Sequence, residues 1–328
     1  MYLITGGAGF IGSNIAAALE AEGRGKIVIC DRLRDGVKWR NIAKRELFDV
    51  IHPDELWNFL DRAGGGIEGV IHMGAISATT ETDADLIFRS NFRLTLALWH
   101  WCAQAEVRFI YASSAATYGD GALGFDDDPS LDALSKLRPL NAYGWSKHLT
   151  DRRLLRMLEE EEPAPPQWAG LKFFNVYGPN EYHKGGQKSV VAHIHPVAAA
   201  GERAKLFKSH HPDYEDGGQL RDFVWVGDCV DVVMWLLDNP EVSGLYNCGT
   251  GQARSFADLA GAVYAALGRN AEIEYVPTPV EIRDKYQYYT QANMDRLRAA
   301  GYDKPFTALE DGVARYVRDY LEQDDPCA

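Results

Sequence analysis

Cysteine is scarce in this 328-residue chain. Cys30, Cys102, Cys229, Cys248 and Cys327 are odd in number, scattered, and without a C-x-x-C pair. That pattern argues against a disulfide framework and against a structural zinc site, so no metal is expected. Positive charge is also in deficit, with a net charge of −13. Neither nucleic acid nor an anionic membrane surface is therefore an expected main partner, although a few local basic residues can still meet a phosphorylated ligand. No apolar run reaches the length of a membrane span, and no internal repeat is visible. A glycine motif opens at Gly6, which leaves no room for a cleavable leader ahead of it. The expected location is the cytoplasm.

What remains is an ordinary globular composition, 46% hydrophobic and 25% charged, long enough for one large or two modest domains. The first residues are the most informative. Tyr2-Leu3-Ile4-Thr5 is a short apolar run, followed at once by Gly6-Gly7-Ala8-Gly9-Phe10-Ile11-Gly12 and a helical pattern through Ala16, Leu19 and Glu20. Glycine at 6 permits a tight turn. Glycine at 9 leaves room for an approaching pyrophosphate, and glycine at 12 lets the helix pack closely on its strand. Free N–H groups and the positive end of the helix dipole then face the phosphates. Asp31, ending the run Lys26-Ile27-Val28-Ile29-Cys30, is the acidic residue expected about 20 positions on, beside an adenosine ribose. The motif points to a nicotinamide dinucleotide.

Strand-like runs alternate with helical stretches through the first half. Gly69–His72, Arg108–Ser113 and Leu171–Asn175 read as strands. Residues 81–104 and 141–161 read as helices. This alternation predicts an α/β fold, a Rossmann-type doubly wound parallel sheet with ligands beyond the C-terminal strand ends. The pattern loosens after Tyr177. Residues 210–220 are loop-like, Phe223–Val226 and Leu245–Cys248 return as strands, and helices over 256–267 and 309–321 close the chain. The expected division is a dinucleotide-binding domain of residues 1–175 plus about 223–250. A smaller, discontinuous substrate lobe comprises about 176–222 and 251–328.

Tyr143 and Lys147 stand four apart in Asn141-Ala142-Tyr143-Gly144-Trp145-Ser146-Lys147, which puts both on one helix face. A free tyrosine, with a pKa of about 10, is a poor base near neutrality; reaching about 7 requires about 4 kcal/mol of differential stabilisation. A neighbouring ammonium and an oxidised nicotinamide are expected to supply it, so that Tyr143 accepts a proton from a substrate hydroxyl as hydride leaves the same carbon. The run Tyr111-Ala112-Ser113-Ser114-Ala115-Ala116-Thr117-Tyr118-Gly119 places hydroxyls at a strand end. From there Ser114 can share the developing charge on the reacting oxygen.

The glycine fingerprint, the serine strand end and Tyr143-x-x-x-Lys147 together resemble the extended short-chain dehydrogenase/reductase superfamily. Further stretches resemble its ADP-glyceromanno-heptose 6-epimerases. These are His72-Met73-Gly74-Ala75-Ile76-Ser77-Ala78-Thr79-Thr80-Glu81, Phe174–Pro179 with Glu181-Tyr182-His183-Lys184-Gly185, Arg221–Asp228 and Arg298–Phe306. The likeness runs over nearly the whole chain.

The resemblance implies an isomerase of lipopolysaccharide core biosynthesis. NADP oxidises C6 of the heptose in an ADP-linked sugar, the ketone reorients, and the same hydride returns to the other face. A tyrosine and a lysine serve the two orientations, and these map to Tyr143 and Lys184, with Lys147 holding the nicotinamide ribose. The same likeness implies Phe10 and Ile11 at the pyrophosphate and Asp31, Arg32 and Lys38 around the adenosine ribose. Gly74, Ala75, Ile76 and Ser77 would lie along the cofactor, with Asn91 and Val176 as further contacts. On the substrate side it implies Asn175, His193, Phe207, Arg221 and Tyr286, Arg221 offering a planar cation to a diphosphate. It also implies a homo-oligomer, a pentamer.

Asp31 alone points to a free 2′-hydroxyl and hence NAD. Arg32 and Lys38 beside it can instead grip a 2′-phosphate, so NADP is expected, with NAD as the alternative. Two features depart from the family: Pro53 stands where a lysine is expected, and the loop 209–219 is longer. The rival readings are another nucleotide-sugar epimerase, a dehydratase, a reductase, or a cofactor-sensing regulator. A dehydratase would want an acidic residue beside the serine, and Ser114-Ala115-Ala116-Thr117-Tyr118 offers none. A regulator would usually lack the tyrosine–lysine pair.

Overall fold

The structure is a computed structural model describing residues 1–283 and 287–328. Twelve strands are present among the described residues. Seven form one sheet: β1 (Tyr2–Thr5), β2 (Ile27–Cys30), β3 (Asp49–Ile51), β4 (Gly69–His72), β5 (Arg108–Ser114), β6 (Trp168–Phe173) and β10 (Gly244–Cys248). Their order is β10-β6-β5-β4-β1-β2-β3, and every pairing is parallel. Parallel strands need crossovers, and helices then cover both faces. That is why β1, β2, β4 and β6 are buried at every residue. The order turns back between β1 and β4, so a crevice opens beyond their C-terminal ends. Gly6 and Gly74 flank it.

Two smaller sheets sit beside the large one. β7 (Asn175–Tyr177), β9 (Leu220–Trp225) and β11 (Ala253–Ser255) form a three-stranded sheet, and β8 (Ala204–Phe207) pairs with β12 (Ile273–Val276). Apolar side chains gather into two cores. The larger surrounds the seven-stranded sheet and includes Trp99, Phe109, Leu171, Val233 and, from the far end of the chain, Leu297 and Tyr302. The smaller joins Tyr177, Val191, Leu206, Trp225, Val263 and Tyr316, and takes Phe10 from the glycine motif. Fully burying a side chain of this size stabilises by about 1.5–3 kcal/mol, so both cores hold the crevice walls.

Several elements differ from expectation. The helix expected over 81–104 is broken into Ala84–Ile87, a π-helical turn Phe88–Arg93 and Leu94–Gln104. The π turn carries Asn91, whose buried amide is bonded outside its own helix, the setting in which such turns occur. The strand expected over 171–175 begins earlier and divides. Phe174 interrupts it, its N–H donating to the Cys248 carbonyl, and β7 leaves to pair with β9. β3, unanticipated, is the edge strand beside β2. The helix expected over 141–161 spans Ala142–Glu159, with the Asn141 side chain capping it by accepting from the Gly144 N–H.

Candidate active site

The glycine turn is shaped by close backbone approach. Gly6 has φ +64, a conformation favouring glycine, and a Cβ there would lie 2.6 Å from Gly74 Cα. A Cβ on Gly12 would press into the Gly6 carbonyl and approach Gly7 Cα at 2.9 Å. Helix Phe10–Ala21 starts at Gly9 with no side-chain cap and no acidic residue in its first turn. The N–H groups of Phe10 and Ile11 therefore lie at an uncapped helix start, suited to an anion. Thr5 Oγ1 accepts from the Gly74 N–H at 3.3 Å and meets His72 Nδ1 at 2.5 Å, while His72 Nε2 meets Thr95 Oγ1 at 2.9 Å. Burial, with the Lys147 charge, lowers the His72 pKa to about 3, so this brace is neutral. These residues fit a dinucleotide: a cradle that any Cβ would fill, opening beneath the switch point. Gly12→Ala is expected to weaken dinucleotide binding by at least about tenfold, or 1.4 kcal/mol, measured by calorimetry on the stripped protein.

At the end of β2, Asp31 is buried and multiply bonded. Its Oδ2 accepts from the Ala8 N–H at 2.9 Å, and its Oδ1 accepts from the Arg32 N–H at 2.7 Å and Lys38 Nζ at 2.5 Å. Arg32 is exposed and paired with Asp54 at 3.1 Å. Along the other wall, Ala75 and Ser77 are exposed, with Gly74 and Ile76 half-buried. Asn91, expected near the cofactor, is enclosed behind this wall. It is 0% exposed, accepts from the Ile76 N–H at 2.8 Å, and donates to Ile76 O at 3.0 Å and Ser146 Oγ at 3.0 Å. The amide braces the backbone at Ile76.

Ser114 ends β5, and its Oγ accepts from the Ala116 N–H at 3.1 Å. Tyr143, half-buried, hydrogen-bonds to the Ser114 side chain. The helix thus brings Ser114 and Tyr143 together, while Lys147 Nζ donates to Ala112 O at 2.7 Å. The phenol's surroundings push its acidity the other way from the shift that catalysis requires. Burial raises the Tyr143 pKa above its ordinary value, with Ser114 opposing and Asp151 adding to the rise. Burial lowers the Lys147 pKa to about 8. Desolvation thus outweighs the Ser114 contact at the phenol.

Lys184 lies in the turn Tyr182–Gln187, its Nζ 5.1 Å from the centre of the Phe10 ring. Burial lowers its pKa, and Glu181 opposes that. The turn is tied to the glycine motif through Asn41, whose Nδ2 lies 2.9 Å from both Ala8 O and Asn180 O and 3.2 Å from His183 Nδ1. Glu181, 0% exposed, accepts from the Ser189 N–H, from Ser189 Oγ at 2.6 Å and from the Tyr316 hydroxyl at 3.0 Å. Sequence reasoning missed Asn41, Asn180 and Glu181; no spacing rule marks a polar residue whose partner is over a hundred positions away.

On the remaining wall, Asn175 is exposed at the start of β7, and Val176 is half-buried next to it. His193 is exposed on helix Val190–Ala199, its Nε2 3.4 Å from Gly186 O in the Lys184 turn. Phe207 ends β8, half-buried. Arg221 packs over the Phe256 ring at 5.6 Å and donates to Leu220 O at 2.8 Å and to Gln287 O; Gln287 reaches Gly119 O at 3.0 Å. Tyr286 lies outside the described residues. Among the described residues no cluster suits a metal ion, and no helix is long and apolar enough to cross a membrane.

The model of the NAD dependent epimerase/dehydratase family matches residues 2–249. An ADP-L-glycero-D-manno-heptose-6-epimerase of Nitratidesulfovibrio vulgaris (strain DP4) is 48% identical, with 99% of each chain covered. One from Fusobacterium nucleatum is 47% identical over the same shares. Among solved structures, the Helicobacter pylori ADP-L-glycero-D-manno-heptose-6-epimerase superposes with a TM-score of 0.78 at 29% identity, covering 97% of this chain and 95% of that one. The Thermus thermophilus UDP-glucose 4-epimerase, solved as a complex with NAD, gives 0.73 at 25% identity, covering 96% and 97%. With the glycine cradle, the Ser114–Tyr143 contact and the Lys184 turn already in place, these matches settle the lineage: the chain belongs to the NAD dependent epimerase/dehydratase family, among its heptose-6-epimerases.

Proposed function

We propose that the chain inverts C6 of ADP-D-glycero-D-manno-heptose to the L-glycero epimer through a transient 6-ketone, with NADP as the resident dinucleotide. The observation that supports this reading is a phenol at the serine strand end and a buried lysine at the glycine helix. Tyr143 is bonded to Ser114 at the end of β5, and Lys184 lies over Phe10 at the glycine helix. When bound, the dinucleotide supplies the reversible hydride acceptor. Tyr143 takes the C6 hydroxyl proton in one sugar orientation and Lys184 gives a proton back in the other, as inversion at a planar centre requires. Ser114 hydrogen-bonds the same oxygen. Lys147 holds the nicotinamide ribose and favours the Tyr143 phenolate. Asn175, His193, Phe207, Arg221 and Tyr286 orient the ADP-sugar, with Arg221 on the diphosphate. Incubation of the holoenzyme with either ADP-heptose epimer, followed by NMR at C6, tests the reading. Interconversion is expected; stoichiometric nucleotide reduction would indicate a reductase, and no change a regulator.

NADP over NAD is supported by the charge at β2. Lys38 already neutralises Asp31, and the Arg32–Asp54 pair is exposed on both sides. Such a surface pair is worth about 0–1 kcal/mol, so Arg32 can exchange it for a 2′-phosphate. Arg32→Ala with Lys38→Ala is expected to reduce the NADP/NAD affinity ratio by about tenfold or more, since each lost charge-assisted bond is worth about 1.5–3 kcal/mol. Mass spectrometry of nucleotide released from the denatured parent protein is expected to show the 2′-phosphate.

Activity should also depend on the Lys147 charge. Burial holds its pKa at about 8, so the ammonium is present below that pH and lost above it. On this basis kcat/KM should decline above about pH 8; a profile flat to about pH 9.5 would contradict the assignment. The division into a dinucleotide domain (1–175 with about 223–250) and a substrate lobe belongs to the same proposal; the two apolar cores follow it only in part, because Leu297 and Tyr302 join the larger core and Phe10 and Trp225 the smaller. Self-association is supported by the exposed aromatics Trp39 (53%) and Phe48 (52%) near the edge strand β3. Sedimentation would give the subunit count, expected to be five.

A further inference from the structure

Directly beneath the proposed catalytic pair is a charged cluster that takes no part in the reaction as written. Asp151 follows Lys147 by four residues and Tyr143 by eight, so all three share one face of the helix. Its carboxylate is 2.9 Å from Lys172 Nζ on β6, and both side chains are 0% exposed. It also accepts from the Tyr111 hydroxyl at 3.0 Å and from Ser113 Oγ at 2.7 Å. Lys172 in turn donates to Thr117 Oγ1 at 2.7 Å, and Thr117 donates to the Ser114 carbonyl at 2.9 Å. One buried ion pair thus ties β6, the end of β5, the turn after it and the helix that carries Tyr143.

We propose that Asp151 and Lys172 form a positioning pair, holding Ser114 in register with Tyr143 and fixing the charge beneath Tyr143 and Lys147. The proposal rests on the reading of Tyr143 as the proton-transfer group. Stability alone is a weak reason for such a pair, because apolar residues of similar volume usually serve a core as well or better. The groups facing the pair from each packed element are few. They are Tyr111 on β5, Tyr118 after β5, with its ring 4.9 Å from Lys172 Nζ, and His148 on the helix itself, while His72 on β4 feels the Lys147 charge and not the pair. Burial holds both histidines neutral, with pKa values lowered to about 3 and about 4, and raises both tyrosines. Asp127 lies further out, within electrostatic reach of Tyr118 and Lys172. Asp151 is the charge that reaches Tyr143 and Lys147 from below, and Lys172 is the cation set against it.

The test is kcat/KM against pH for holoenzymes of Asp151→Asn, Lys172→Met and the double variant. Asp151→Asn removes the anion that disfavours the phenolate, so the acid limb should move to lower pH by about half a unit or more. Lys172→Met removes the compensating cation, and the limb should move to higher pH. The double variant leaves no charge unpaired: its limb should stay near the parent's, but kcat should fall about tenfold at unchanged KM, because Thr117 is no longer tethered. That variant keeps the test readable if a single one fails to fold. Shifts of the same sign, no shift in either single variant, or a folded double variant with the parent's kcat would overturn the proposal. Tyr143→Phe, assayed alongside, separates the two layers. Activity retained there sinks the catalytic reading itself, whereas activity lost there with unmoved limbs in the single variants sinks the positioning pair alone.

Discussion

Tyr143→Phe is expected to lower kcat for C6 inversion by about 10²–10⁴-fold, the range for loss of a positioned acid–base group. The dinucleotide should stay bound. The substitution keeps the ring and the helix while removing the hydroxyl that meets the Ser114 side chain. The parent phenol lies above its ordinary pKa because burial outweighs the help it receives. It therefore stays protonated until positive charge enters the crevice. A bound oxidised nicotinamide would supply positive charge against the phenol, which would favour the phenolate next to the substrate hydroxyl. Steady-state kinetics and nucleotide retention on gel filtration check both halves; near-parental inversion would remove Tyr143 from the chemistry.

Lys184→Met is expected to abolish inversion to a similar extent, about 10²–10⁴-fold. Methionine preserves an apolar stem against the Phe10 ring, so the loss isolates the ammonium. Burial already lowers the pKa of this lysine, which brings it toward the range where an amine exchanges protons readily. With Tyr143 intact, the variant should still bind the ADP-sugar and still serve one orientation. NMR is then expected to show substrate recovered without the other epimer. Inversion at the parental rate would mean that the lysine only decorates the turn.

The parts of this site built from contiguous sequence were legible before the fold. Gly6, Gly9, Gly12 and Asp31 announce a strand–turn–helix crevice because each answers a local backbone requirement. Tyr143 and Lys147 announce a shared helix face by their spacing alone. Gly69–His72 reads correctly as a strand because its burial on both faces leaves an unbroken apolar run. What could not be read depends on tertiary partners. Asn91 is polar and lies in a helix-like stretch, so its enclosure by Ile76 and Ser146 leaves no trace in the local pattern. Lys172 sits in an apolar strand as an apparent exception, and only the fold supplies Asp151 opposite it. Glu181 and Asn180 likewise hold the Lys184 turn through residues from the far ends of the chain. The burial of Tyr143 was hidden for a related reason. Helical spacing reveals that a lysine is near, but not how much water the phenol has lost.

The central claim is that C6 gives up its hydrogen and receives the same one back on its other face, between Tyr143 and Lys184. The most direct measurement uses ADP-D-glycero-D-manno-heptose deuterated at C6, incubated with the holoenzyme in ordinary water and followed by NMR and mass spectrometry. The account predicts an L-glycero product that keeps its deuterium, with no net reduction of nucleotide. Product carrying solvent hydrogen at C6 would contradict it, because inversion would then proceed by loss and return of a proton at carbon.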